Sequence, residues 1–242
     1  MNYLFLCVAV MVSLANATSD VYKPEKPIEQ VSKSLSSIEK DVRAAAVKVT
    51  TAGGGHGTGS LIKYKDVVLV ITAKHVAKDP IGTEYAILKD GERVRSTLLY
   101  KSDIADVSVL MLNGTFLNKG VKPMPWKTTK TYNVGMDIVY SGYPSWHKLM
   151  SFKGRIAGYE VLNSGATQLI VNTYGWFGCS GSVLYSTKGH IVGILYGVDI
   201  EYYPNTQVNE NMIWVAPIKQ INIDEVLKAF CMGSVGKYKA CQ

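Results

Sequence analysis

Gly178-Cys179-Ser180-Gly181-Ser182 is the stretch on which this sequence turns. Glycines on either side of a serine admit the tight turn that exposes its hydroxyl and gathers neighbouring N–H groups into one hollow. Upstream lie Thr72-Ala73-Lys74-His75-Val76 and Asp106-Val107-Ser108-Val109-Leu110. In chain order these supply a histidine, an aspartate and a serine, the three groups that together activate a hydroxyl for attack on a carbonyl. Each also has a bland reading. Gly-x-Ser-Gly occurs as an ordinary turn, and a lone histidine is more often a satisfied core or surface side chain.

A serine hydroxyl attacks poorly unless a base takes its proton, and the oxyanion that forms needs donors. Ser180 is the candidate nucleophile, and the backbone N–H groups of Gly178 and Ser180 are the candidate oxyanion donors, each worth about 3 kcal/mol to a transition state. His75 follows an apolar run and so falls where a strand ends, the position of a general base. The other histidines lack such a setting: His56 lies in a glycine loop, His147 follows Pro144-Ser145-Trp146, and His190 sits in a Lys-Gly-His turn. Asp106 and Asp103 compete to orient His75. Asp106 is favoured, because choosing Asp103 would leave an unpaired charge at an inward position.

Outward from these segments the chain reads as short β-rich runs separated by glycine or charged turns. Six fall in the first half: 46–50, 59–62, 67–72, 85–88, 94–100 and 107–112. Six more fall in the second: 137–140, 153–159, 168–171, 182–185, 191–196 and 212–216. A dozen strands with no long helix between them point to an all-β fold of antiparallel barrels. Apolar residues at three- and four-residue steps predict an amphipathic helix over 28–42, and a closing helix is expected over 221–230. The expected organisation is a targeting segment at 1–17, a helical extension at 18–43 and a first barrel at 44–118. A Lys/Pro/Gly-rich linker at 119–136, a second barrel at 137–220 and a C-terminal helix with an irregular tail at 221–242 complete it.

Hydrophobic residues make up 47% of the 242 residues and charged ones 19%, which argues against disorder. The net charge is +7, but the basic residues are scattered, with no Arg-rich or aromatic-interleaved motif, so nucleic acid is not an expected partner. Leu4 to Leu14 is an apolar run ending at Ala15-Asn16-Ala17, a pattern signal peptidases accept and too short to span a bilayer comfortably. The expectation is a translocated chain, in the ER lumen, periplasm or extracellular space, with membrane contact only if that segment is retained as an anchor. Cys179, Cys231 and Cys241 would then remain, an odd number that leaves a free thiol. Cys231 and Cys241 are spaced to close a small loop, and Cys179 reads as a packed thiol. No CxxC or HExxH spacing supports a metal site, and no cofactor is implied.

Together, Gly57-Thr58-Gly59-Ser60-Leu61-Ile62, the His75 and Asp106 segments, the Ser180 run and Gly193-Ile194-Leu195-Tyr196-Gly197 resemble the trypsin-like, chymotrypsin-fold serine peptidases. The resemblance covers about residues 44–220 and implies two packed six-stranded antiparallel β-barrels with the site in the cleft between them. It implies an endopeptidase whose partner is a protein or polyprotein substrate. The spacings, 31 residues from His75 to Asp106 and 74 on to Ser180, look like compact HtrA-type domains and RNA-virus serine proteases. It further implies that Gly193, Ile194, Leu195 and Tyr196 pair with substrate backbone, and that Tyr174 lies at the base of the specificity pocket. As Tyr174 is no acid, an apolar or small side chain before the scissile bond is expected. Tyr174 and Trp176 as mere core aromatics remain the alternative. Cys179 stands where trypsin has the aspartate that pairs with a new amino terminus, so activation by that route is not expected. Ser182 replaces the usual second glycine. The alternative to an enzyme is a protease-fold peptide-binding protein without turnover. The Gly-x-Ser-x-Gly elbow and Ser…Asp…His order of the α/β-hydrolases are absent.

Overall fold

Val67-Val68-Leu69-Val70-Ile71-Thr72 is apolar at nearly every position because its strand is buried on both faces. Val70 points into one core with Val47, Val49, Leu61, Leu98 and Leu110. Leu69 and Ile71 point the other way, into a core shared with Val139, Val183, Tyr185 and Ile194. That two-sided burial is what packing one barrel against another requires.

The computed structural model describes residues 34–51, 53–202, 204–232 and 238–241; from Leu35 onward the chain is one compact unit. The first barrel comprises β1 (Ala46–Thr50), β2 (His56–Tyr64), β3 (Val67–Thr72), β4 (Glu84–Lys89), β5 (Glu92–Lys101) and β6 (Ser108–Leu112). They run in the order β1-β4-β5-β6-β3-β2, and β1 pairs back onto β2 to close the ring. The second comprises β8 (Asp137–Gly142), β9 (Met150–Val161), β10 (Thr167–Asn172), β11 (Val183–Ser186), β12 (Ile191–Glu201) and β13 (Gln207–Pro217), closed in the order β10-β13-β12-β11-β8-β9. Its interior holds Ile138, Tyr140, Leu169, Val171, Leu184, Val192, Leu195 and Val215. Both are antiparallel and six-stranded, the architecture the sequence pattern and the resemblance imply.

Between them, the segment from 119 to 136 is tied to both barrels. Its β7 (Met124–Pro125) adds in parallel to β2, and Thr129 N–H donates to Ile191 O at 2.9 Å. The first described helix, α1, spans Ser37–Ala45; of the helix expected over 28–42, residues 37–42 are helical, 34–36 are not, and 28–33 lie outside the described residues. Ser36 caps it, accepting from Glu39 N–H while the Glu39 carboxylate accepts from Ser36 N–H. This capping box sets the start later than the apolar spacing alone. Ile28 and Val31, and the targeting segment at 1–17, lie outside the described residues. The closing helix α2 spans Ile223–Met232, two residues later than expected, with Asn222 accepting from Glu225 N–H. Cys231 and Cys241 form a disulfide, and Asp66 accepts from the N–H groups of Lys239 and Ala240, fastening the tail to the β2–β3 turn.

Candidate active site

His75 leaves β3 on a single helical turn in which Val76 and Ala77 N–H both donate to Ala73 O. Asp106 grips it at two points. Oδ1 accepts from His75 N–H at 2.9 Å, and Oδ2 lies 2.7 Å from Nδ1. Lys74 Nζ, donating to Ser102 O at 2.6 Å, staples the histidine turn to the loop that carries the aspartate. Burial tends to raise the Asp106 pKa, but the hydrogen bonds and charge of His75 outweigh it and hold the carboxyl below its ordinary range. Asp106 therefore stays ionised, fixing the ring with Nδ1–H toward it and Nε2 free to accept a proton. Asp103 is exposed and makes no such contact among the described residues.

Ser180 comes from the second barrel, and its loop is seated on the first. Thr58 N–H donates to Ser180 O at 2.8 Å and Thr58 Oγ1 to Gly178 O at 2.7 Å. Thr58 Oγ1 accepts from Tyr143 N–H, and Thr58 O accepts from Thr72 Oγ1. One threonine thus registers the serine loop, the β8 end and the strand leading to His75. In the sequence the motif Gly57-Thr58-Gly59 assigns Thr58 no role; its one signal is a hydroxyl between two glycines beside an apolar strand.

Gly178 and Gly181 have φ of +93° and +91°. A Cβ on Gly181 would lie 2.0 Å from Thr58 O and 2.2 Å from Thr72 Oγ1; one on Gly178 would lie 2.4 Å from Tyr143 O. Only glycine allows this close approach. The 178–179 peptide is oriented by Thr58 on its carbonyl and Trp176 O on its N–H. Among the described residues, the N–H groups of Gly178 and Ser180 have no partner within the protein. No hydrogen bond joins Ser180 Oγ to His75 Nε2 among the described residues; in resting sites that contact is often long and tightens in the substrate complex.

Cys179 is fully buried, and burial pushes its thiol up to about 11, the opposite of what a nucleophilic thiolate needs. Ser182 is also buried, and its Oγ has no partner among the described residues. Tyr174 stacks on Phe152 at 5.3 Å, which stacks in turn on Tyr140 at 4.9 Å. Tyr174 so placed belongs to an aromatic stack, and the adjoining Gly175 is packed so closely that a Cβ there would lie 2.2 Å from Ile213.

The four residues expected to pair with substrate differ in how their backbone is engaged. Gly193 and Ile194 are buried with β11 on one side and β13 on the other, while Leu195 N–H and O are taken by Ser182 O and Gly181 N–H. These three have no free edge. The free edge of β12 begins at Tyr196 and continues to Glu201, where only β13 pairs with it. Both strands run further than the apolar runs 191–196 and 212–216, into outer ends of mixed polar and apolar residues that are half-buried to exposed. The Tyr196 hydroxyl donates to Gln168, and burial, with Asp106 nearby, pushes its pKa up to about 12. Among the described residues, no His, Cys, Asp or Glu cluster is fit to hold a metal ion.

The family model of the trypsin-like peptidase domain matches residues 57–194. The chain is similar in fold to Rv3671c from M. tuberculosis H37Rv, in the inactive form of a serine-to-alanine mutant, with a TM-score of 0.62 at 16% identity over 85% of this chain and 96% of that one. It is likewise similar to the Rv3671c protease, inactive form, with a TM-score of 0.60 at 17% identity over 79% of this chain and 92% of that one. No curated protein sequence matches significantly.

Proposed function

We propose, from the premise that the chain belongs to the trypsin-like peptidase domain family, that it is a serine endopeptidase using Ser180, His75 and Asp106. The observation that carries this reading is the two-point grip of Asp106 on His75, 2.9 and 2.7 Å, on the barrel to which Thr58 clamps the Ser180 loop. Ser180 Oγ attacks the scissile carbonyl while His75 Nε2 takes its proton. Asp106 stabilises the imidazolium and keeps the ring oriented. The Gly178 and Ser180 N–H groups receive the oxyanion. The imidazolium then protonates the leaving amine, a water deprotonated by His75 attacks the acyl ester, and Ser180 is restored. The free edge of β12 from Tyr196 onward takes the substrate strand. The substrates are proteins, and the Cys231–Cys241 disulfide supports an exported, oxidising location.

Treatment with a fluorophosphonate probe tests the reading. The protein is expected to be labelled and Ser180→Ala not. Unlabelled wild type would place the chain among protease-fold peptide binders, and labelling that survives in Ser180→Ala would move the nucleophile elsewhere.

A further inference from the structure

Beside the His75–Asp106 pair a pocket of about 750 Å³ opens between the barrels, lined by both. Its wall is largely apolar, with Ala105, Leu162, Ala166, Tyr196 and Ala216. Its rim carries Lys74, Lys78 and Lys101. Lys74 sits in the turn after β3 and Lys78 just beyond its end. Lys101, at the end of β5, reaches across, donating to Lys78 O at 3.2 Å and Asp79 O at 2.9 Å. Lys74 is held by Ser102 O. Backbone carbonyls thus fix two of the ammonium groups, and among the described residues none of the three has a carboxylate within salt-bridge distance. The carboxylates on the lining are Asp106, engaged with His75, and the exposed Asp103. Two fixed ammonium groups and the exposed Lys78, set against Asp103 and the engaged Asp106, leave the rim of an apolar wall net positive, and this matches a ligand with an anionic head on a short apolar stem.

Tyr196 is both part of this wall and the first residue of the free β12 edge. A peptide added to that edge runs its acyl portion past the mouth of the pocket. We propose that the pocket is the subsite for an acidic substrate side chain, glutamate ahead of aspartate, lying N-terminal to the bond that Ser180 cleaves. The proposal rests on the peptidase reading above. The longer glutamate stem covers more of the apolar wall while its carboxylate reaches the ammonium rim.

Quenched fluorescent peptides that differ only by Glu or Gln at each of the three positions preceding the cleaved residue test this, with fluorophosphonate labelling of Ser180 run in parallel. Glu is expected to exceed Gln in kcat/KM by about tenfold at one position, the scale set by several partly exposed ion pairs. The preference should shrink severalfold in about 0.5 M salt, where screening is strong. Lys78→Glu should abolish it or turn it toward Lys; should that variant not fold, Lys78→Ala and the salt series carry the same test. Equal rates for Glu and Gln at every position in an enzyme that labels normally would overturn the proposal, as would a preference indifferent to salt. Should wild type fail to label, the peptidase reading falls by itself. Binding of the same peptides to Ser180→Ala, followed by fluorescence anisotropy, still judges the pocket: a Glu-to-Gln affinity ratio near one rejects it.

Discussion

Asp106→Asn makes the sharpest demand on the candidate site, because the carboxylate accepts twice from one residue. Asparagine is the same size but offers one oxygen and one NH2. His75 N–H can only donate, so the amide oxygen is expected to stay on it and the NH2 to face Nδ1. The ring then holds its proton on Nε2 and cannot receive the one from Ser180. Flipping the amide rescues the tautomer but sets two donors against each other at the backbone, at about 1–3 kcal/mol. Loss of the ionised acceptor removes about 1–1.5 kcal/mol more from the imidazolium. The combined 2–4.5 kcal/mol corresponds to a loss of roughly 30- to 2,000-fold at about 1.4 kcal/mol per decade. The assay is the second-order rate of fluorophosphonate labelling, backed by peptide kcat/KM, with urea unfolding to establish that the variant is folded. A folded Asp106→Asn within about threefold of wild type would refute the reasoning, and a deeper loss in Asp103→Asn would transfer the role to that residue.

Gly181→Ala drives a Cβ to 2.0 Å from Thr58 O on a backbone with φ of +91°, and the obstacle is backbone that cannot swing aside. Strain and overpacking together should cost about 2–5 kcal/mol in urea unfolding; a loss below 1 kcal/mol would mean the loop is not clamped as described. Ser182→Ala removes a buried hydroxyl that has no partner among the described residues and should stabilise by about 1 kcal/mol, whereas destabilisation would show that the hydroxyl is satisfied in solution. Lys89 is buried beneath the end of α1, donating to Arg43 O and Ala46 O, and burial lowers its pKa from 10.5 to about 8. The unfolded chain then holds the proton more tightly, so stability rises with pH from about 8 to 10.5, by about 3 kcal/mol in all. Cys179, pushed up to about 11, works the other way above pH 9, so the quantity to measure is the stability difference between wild type and Lys89→Met. That difference should move in favour of wild type across the window, and a flat one would contradict the burial of the ammonium.

Much of the fold was legible because barrel strands with a buried face announce themselves as apolar runs, and β3, buried on both, was read to the residue. The ends of β12 and β13 were not legible. Asp199-Ile200-Glu201 and Gln207-Val208-Asn209 pair with each other, but each has one apolar residue between polar ones and none is fully buried, so no apolar run marks them. The described start of α1 is not legible for a related reason. Periodicity extends back to Ile28 whether or not the helix does, while its described start is set by the Ser36–Glu39 box. At the site, spacing and order pointed to the three side chains, but specificity depends on which strand edge is free. Gly193, Ile194 and Leu195 look like the residues on either side of them until their pairing to β11, β13 and the Ser180 loop is known.

Thr58 explains how a site split between two barrels keeps one geometry. His75 and Asp106 are set by the first barrel and Ser180 by the second, and a shift of about 1 Å between the halves would be expected to cost on the order of 100-fold in rate. The shared apolar core resists separation of the barrels but is poorly directional, since dispersion changes little as one smooth surface slides on another. Hydrogen bonds from Thr58 to Ser180 O and Gly178 O do have direction. Because the threonine also accepts from Tyr143 N–H, a slide would break its contacts to the Ser180 loop and to the end of β8 together, while Thr72 Oγ1, donating to Thr58 O within the first barrel, holds the threonine in place. The register of the candidate triad therefore resides less in the three side chains than in one small residue of β2.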